Sequence, residues 1–381
     1  MLQVAGPYGQ RQQPPTNWCS RLSAGRGFQP AGFFAGGRVD GSWKRARLIA
    51  PFCCRAAVPI QRSAAVVPPA RRRRKSYRPP EMLLNLHVLD LMEVSGSQMR
   101  AARSLSMHQT TVSRSYWELA EQFRLQPARG PRQVCRWGGS SSLRFLRLAS
   151  RAHRLEDGRL RLGTDALHQS LLAGLPGVLQ VPPCFHPAGD WATLVAQGVI
   201  DGALVSSLCH NQELAGGELP HWPGVQVLPL GTLPLQLVAH QRWADVWEEQ
   251  VLLPAAQIMP LLHGELEPCI GNLERASRVW QDPQAWLEQL QQRPVAVPLC
   301  PALAPRSWWQ EQGLVPVADG LFLQEQLWLL LPQELQAPAA AKATLRVIQR
   351  RAFRAAARGA GALLGLEGSL EEGVGAGGGA A

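Results

Sequence analysis

From Met82 the apolar residues recur with a helical period: Leu86, Leu89, Leu91 and Met92 share a face, and the run ends near Val94-Ser95-Gly96-Ser97. A second short helix is predicted around Ala101, Ala102 and Leu105. A tight break follows at Ser106-Met107, and a third helix is predicted to start between His108 and Thr110. Small side chains at Ala101-Ala102 let the first two helices approach closely, and Leu105 and Val112 are spaced to pack across the turn. Two helices joined by a short turn form the unit that carries a recognition helix into the major groove of DNA. On the third helix Gln109, Thr110, Thr111, Ser113 and Arg114 fall on the outward side. Gln can bond adenine through two contacts, Thr offers a methyl group to thymine, and Arg reaches guanine or phosphate. Double-stranded DNA is therefore the expected partner. A plain helical hairpin with a solvated polar face would show the same pattern.

Downstream the pattern changes twice. Residues 140–155 are predicted to be helical, with the three serines at 140–142 as caps and an apolar stripe of Leu143, Leu146, Ala149 and His153 or Ala152. From Gly158 short strands alternate with helices: strand 158–165, helix 166–175, strand 177–181, helix 190–197, strand 201–205, then two strands at 225–230 and 233–239. Such alternation predicts a parallel sheet covered on both faces. A last helix is expected over 339–357.

Charge divides the chain in the same places. The whole carries +11, with 39 Lys and Arg against 28 Asp and Glu. Residues 82–154 hold 11 basic and 4 acidic residues, while 155–336 hold 7 basic and 19 acidic. A basic helical unit gains sequence-independent affinity for phosphates through counterion release, and an acidic body confines that contact to one end. Residues 1–80 contain 15 basic residues and one acid, Asp40, with a run Arg71-Arg72-Arg73-Arg74-Lys75 between proline pairs and no sustained period. Segment 1–81 thus reads as a disordered basic arm, as a targeting segment, or as residues upstream of a true translation start at Met82, the last being favoured. The Gly/Ala-rich tail, 358–381, is also expected to be disordered.

The chemistry-bearing residues exclude more than they support. The eight cysteines form no C-x-x-C pair, which argues against a zinc site or disulfide framework and fits a reduced, cytoplasmic compartment. No His-Glu-x-x-His run, phosphate loop or nucleophile elbow occurs, so no catalytic residue, cofactor or metal is expected. Apolar runs such as 327–331 are far too short to span a membrane. Trp286, Trp308, Trp309 and Trp328 sit in apolar segments and read as packing groups.

The helical stretch also resembles the DNA-binding domain of LysR-type transcriptional regulators. The resemblance is carried by Glu93, Gly96-Ser97, Ala101-Ala102, Leu105 and the run His108-Gln109-Thr110-Thr111-Val112-Ser113-Arg114. His108 stands where the family has Ser, so Thr110 is expected to take over the cap, and Ala120 stands where the family has Glu. The resemblance implies an α/β protein with a winged helix-turn-helix over 82–139, a linker helix over 140–157 that pairs with a second subunit, and an effector-binding domain over 158–357. The last would have the two-lobed fold of periplasmic binding proteins. Arg129 and Arg132 would lie on the wing, where Arg136-Trp137-Gly138-Gly139 replaces the usual ending. Residues 228–240 would cross into the second lobe, and 314–317, 326–332 and the final helix would return to the first. The effector, a small molecule of unknown identity, would sit at the carboxyl ends of strands. Thr164, Asp165, Ser206 and Ser207 occupy such positions, although the same residues are ordinary helix caps. The implied function is a transcriptional regulator that binds its operator as a homodimer or homotetramer. The alternative is a small-molecule-binding protein whose DNA-binding unit has degenerated, and an enzyme of this fold is disfavoured.

Overall fold

The computed structural model describes residues 77–363, apart from 128–133, 138–139, 213, 215–217, 245–249, 271, 276–282, 304–305, 318–320 and 322. Three helices come first: α1 (Leu84–Ser95), α2 (Gln98–Leu105) and α3 (Gln109–Gln122). Each boundary has a local cause. Gly96 ends α1 in the left-handed region at φ 57°, where a Cβ would be costly. Ser97 then caps α2 by accepting from the Arg100 N–H. His108, not Thr110, caps α3: its side chain accepts from the Thr110 N–H, because Nδ1 lies where a serine oxygen would. That corrects the expected shift of the cap to Thr110.

The apolar face of α1 is used on both flanks. Val88, Leu91 and Val94 pack with Ala101, Ala102 and Val112 in a cluster that continues into the core of the sheet. Leu86 and Leu89 pack instead with Tyr116, Leu119, Ala120, Trp137 and Leu143. Ala120, the position where the family has Glu, is inside this second cluster. A carboxylate there would be buried among apolar neighbours, which explains the small residue.

Helix α4 (Ser141–Glu156) is capped by Ser140, which accepts from the Leu143 N–H. Its orientation corrects the expected apolar stripe. The buried face is Leu143, Arg147, Ser150, Arg154 and Leu155, while Ala149 and Ala152 are exposed and Leu146 and His153 are half-buried. The arginines turn inward because acidic residues from α1 and from the sheet meet them there.

The α/β part begins with β1 (Leu160–Gly163), α5 (Gln169–Leu172), β2 (Val178–Gln180), α6 (Ala188–Ala196) and β3 (Gly202–Ser206). Strand β1 pairs in parallel with both β2 and β3, as the alternation predicts. The rest departs from an all-parallel sheet. Residues expected to form two strands form one, β4 (Val225–His240), with a register shift between Pro229 and Gly231. Proline lacks an N–H for the ladder and the bulge absorbs the mismatch, so the strand runs through a sequence that reads as a break.

Strands β5 (Gln250–Leu253) and β6 (Asn272–Arg275) form a separate parallel pair, with α7 (Pro260–Leu266) between them in the chain. There follow α8 (Pro283–Gln292), β7 (Val297–Leu299), α9 (Arg306–Glu311), β8 (Leu314–Pro316), β9 (Leu323–Pro332) and α10 (Ala339–Leu363). Strand β9 lies antiparallel between β3 and β4, giving the order β2-β1-β3-β9-β4-β7. The far end of β4 pairs with β7 and β8. Residues 314–316 therefore belong with the far end of β4, and only β9 and α10 return to the first strands. The long antiparallel pair β4–β9 is the span that joins the two halves of the sheet.

Candidate functional site

Helix α3 separates its side chains sharply. Val112, Tyr116, Leu119 and Ala120 are buried, at spacings of three and four residues, so the opposite side faces outward. Gln109, Thr110, Thr111 and Arg114 are exposed, and Ser113 is half-buried. Gln98, at the start of α2, organises part of this surface: its amide nitrogen donates to Ser113 Oγ at 3.4 Å, and its amide oxygen accepts from Gln109 Nε2 at 3.2 Å. The His108 ring nitrogen lies 2.8 Å from Thr110 Oγ1. The polar residues at the N-terminal end of α3 are thus held by neighbours within the unit. Arg103, in the last turn of α2, and Arg124, just beyond α3, are exposed as well. They belong to no motif in the sequence.

The wing residues Arg129 and Arg132 lie outside the described residues. Among the described residues between α3 and α4 none forms a strand. Trp137 is buried and donates its backbone N–H to Glu93 Oε1 at 3.1 Å, which ties this segment to α1. The Arg136 guanidinium sits 5.1 Å from the ring centres of both Trp117 and Trp137.

A buried ionic network joins the three-helix unit to the sheet. Asp90 on α1 accepts from Arg147 Nε at 2.8 Å and from Arg161 Nη1 on β1 at 2.8 Å. Glu93 accepts from Arg147 Nη2 at 3.3 Å. Asp201, just before β3, accepts two bonds from Arg154, at 2.7 and 3.0 Å, and one each from Arg151 Nε and the backbone N–H of Arg161. Burial alone would push the Asp201 carboxyl up, but Arg154, Arg151 and the backbone donor hold it below the usual carboxylate range. Burial raises Glu93 in spite of Arg147. Two further contacts bind α1 and α2 to the α/β part: His186 Nε2 lies 2.7 Å from Val94 O, and Arg100 Nη1 donates to Cys184 Sγ at 3.6 Å.

His87 completes the network as a neutral acceptor, with Nδ1 2.6 Å from Arg161 Nη2. Burial, then the charges of Arg161 and Arg154, drop it to about 3. Its folded pKa lies below its unfolded value near 6.5, so below that pH the unfolded chain binds the extra proton. Stability is then lost as the pH falls from about 6.5 towards 3. The His87→Leu variant is expected to show a flatter fall, by about 2 kcal/mol between pH 7 and pH 5. Urea midpoints at the two pH values measure this, and equal slopes for both proteins would contradict it.

At the carboxyl ends of β1 and β3 the four residues expected to meet a ligand make internal bonds. Thr164 Oγ1 donates to Leu204 O. Asp165 Oδ1 accepts from the N–H groups of Leu167 and His168. Ser206 caps the 3₁₀ turn Ser207–Cys209, and Ser207 Oγ accepts from the Gln326 N–H. No motif marks His168, whose ring nitrogens lie 2.7 Å from Asp165 Oδ1 and 2.8 Å from Glu325 Oε1. Burial opposes an imidazolium there, yet the two carboxylates raise His168 well above the ordinary histidine value.

Beside these residues lies a cavity of about 390 Å³. None of Thr164, Asp165, Ser206 and Ser207 lines it, but the next two residues in the chain, Ala166 and Leu167, do. Its opposite wall comes from α8, β7 and α9, including Trp286, Val297 and Trp309. Among the described residues no group of three or more His, Cys, Asp or Glu could hold a metal ion, and no helix is long and apolar enough to cross a membrane.

No protein-family model matches the chain, and no curated protein matches it. Among solved structures it is similar to ArgP from Mycobacterium tuberculosis, at 18% identity over 70% of this chain and 96% of that one, with a TM-score of 0.40. It is similar to the full-length LysR-type regulator LysG from Corynebacterium glutamicum with bound effector Arg, at 15% identity over 71% and 98% of the two chains, TM-score 0.40. It is similar also to CbnR, a LysR family transcriptional regulator, at 14% identity over 70% and 99%, TM-score 0.39. These likenesses are too distant to carry function across.

Proposed function

We propose that this chain is a DNA-binding transcriptional regulator of the LysR type, cytoplasmic and without catalytic activity, whose α/β part answers to a small-molecule effector. The observation that carries the proposal is α3. It buries one face in a three-helix core and turns Gln109, Thr110, Thr111 and Arg114 outward, on the run of residues that resembles the family's recognition helix. In this reading those residues and Ser113 meet base edges, Arg129 and Arg132 meet phosphate, and the cavity beside Thr164 and Asp165 receives the effector. The three-helix unit covers 82–139, α4 is the linker, and 158–357 form the effector domain.

Self-association is supported by the face of α4 that points away from the core. Phe145 is 68% exposed and Leu148 44%, with Ala149 and Ala152 exposed beside them. A helix that buries arginine and exposes apolar groups is suited to a second copy. Sedimentation velocity is expected to show a dimer or tetramer at micromolar concentration; a monomer would remove this part of the reading.

The experiment for the DNA contact is Arg114→Ala. Arg114 is exposed and outside every core cluster, so the fold should be unchanged while specific binding weakens by about 1–3 kcal/mol. Anisotropy titrations of the full chain on the DNA flanking its own gene and on scrambled DNA measure this. Equal affinities of parent and variant for the specific duplex would contradict the assignment. The second reading, a binding protein whose DNA-binding unit has degenerated, is favoured by Arg136-Trp137-Gly138-Gly139 standing in place of the family's usual wing ending. Equal binding of the parent to both duplexes would support it.

A further inference from the structure

We infer that Arg136 is a phosphate-binding residue of the DNA interface, held beside α3 by two indoles so that its guanidinium meets the backbone of the bound duplex. This rests on the DNA-binding reading above and adds a contact outside the recognition run and outside Arg129 and Arg132. Three observations carry it.

The first is how the side chain is held. Arg136 is exposed, yet its guanidinium sits 5.1 Å from the ring centres of both Trp117 and Trp137. Those two rings stand edge to face, 6.1 Å apart. Trp137 is buried and tied to α1 through Glu93, and Trp117 is part of α3, so the platform is fixed to the three-helix core. A long exposed side chain ordinarily keeps its rotamer freedom. Stacked on fixed rings, this one has given up part of that freedom before a ligand arrives, which lowers the cost of binding.

The second is what the stacking leaves open. The rings engage the face of the guanidinium, while its five N–H donors point outward in its plane. The Tyr116 hydroxyl accepts from this group. Among the described residues no carboxylate pairs with Arg136, and the neighbouring stretches 128–133 and 138–139 contain no Asp or Glu. A planar, fully charged fork with open donors matches a phosphate, which accepts two parallel N–H bonds.

The third is place. Trp117 follows Thr110 by seven residues, Ser113 by four and Arg114 by three, so it shares their side of α3, and it is 47% exposed. The major groove is about 12 Å wide and a helix with its side chains about 10–12 Å across, so a recognition helix brings its flanks against the phosphate strands. Beyond Arg114 the exposed ionic side chains of α3 itself are Glu118 and Glu121, which repel phosphate. Arg136 brings the opposite charge to that half of the helix from outside it.

The test is anisotropy of the full chain on the DNA flanking its own gene and on scrambled DNA, titrated at several salt concentrations between about 50 and 200 mM. Arg136→Gln removes the charge, and the slope of log K against log salt should become shallower by about 0.9, the value of one phosphate contact. Affinity should fall about fivefold at physiological salt, equally on both duplexes. Arg136→Lys keeps the charge and should keep the parent's slope. Arg136 is exposed, so both variants should unfold thermally alike, and a slope difference between them then reports charge and not fold. The inference is overturned if Arg136→Gln keeps the parent's slope, if Arg136→Lys loses as much slope as Arg136→Gln, or if the loss is confined to one duplex. A parent that binds neither duplex overturns the DNA-binding reading and this inference with it; a parent that binds while Arg136→Gln keeps its slope overturns this inference alone.

Discussion

Asp201→Asn is expected to remove about 3–5 kcal/mol of unfolding free energy. Asp201 is fully buried and receives four hydrogen bonds, two of them from one edge of the Arg154 guanidinium. The amide keeps the shape and loses the charge. Arg154, itself 0% exposed, would then be a buried cation facing an amide that offers one acceptor oxygen and one NH2 donor, with Ser150 as its other partner, and Arg151 would lose its carboxylate. Removing one member of a buried pair costs far more than the pair is worth, because the other cannot reach water. The same carboxylate sets an acid limit. Its folded pKa is below the unfolded value, so its contribution is present above about pH 3.9 and is lost as the pH falls through the folded pKa. Urea unfolding at neutral pH measures the substitution. A loss below about 1 kcal/mol would mean that water reaches the guanidinium and that the network is not closed.

Asp90→Asn is expected to cost a similar amount, about 3–5 kcal/mol, but to distribute it differently. Asp90 is the point where three parts of the molecule meet: α1 carries it, Arg147 reaches it from α4, and Arg161 reaches it from β1. Arg161 is fully buried and already pushed down to about 10 by burial and by Arg154. Without Asp90 its guanidinium would keep Val199 O and the His87 ring as partners. The loss therefore falls on the join between the three-helix unit and the sheet. Amide hydrogen exchange should quicken across α1–α3 while β1 and β3 keep their protection. Uniform acceleration across both parts would contradict a joint at this residue. Strand β1 holds Arg161 near its start and leads into Ala166 and Leu167 at the cavity. The same strand thus connects the three-helix unit with the proposed effector site, which is a physical route for one to bias the other.

What the sequence made legible was whatever depended on neighbours a few residues away. The spacing of Leu86 and Leu89, the Ala101-Ala102 pair and the position of Val112 define three helices, and the alternation after Gly158 defines β1, β2 and β3. The buried polar groups were not legible. Residues 140–155 read as a helix with its leucines inward, but the acids that draw Arg147 and Arg154 inward stand about 50 residues away on either side, at Asp90, Glu93 and Asp201. His168 pairs with a carboxylate 157 residues further on. Residues 225–239 suggest two strands in the sequence, and the bulge opposite β9 between Pro229 and Gly231 lets one strand run through. At the cavity the residues singled out from the sequence adjoin the lining in the chain without forming it. Thr164, Asp165, Ser206 and Ser207 bond within the protein, and the lining is made by their neighbours and by tryptophans that read, from sequence, as core.

The most direct test of the central claim is a selection of duplexes by the full chain from a random-sequence pool, followed by anisotropy on the enriched sequence and a scrambled control at physiological salt. The proposed regulator should enrich one motif with two-fold symmetry and bind it about a thousandfold more tightly than the control. No enriched motif, together with equal and equally salt-sensitive binding to both duplexes, would contradict it.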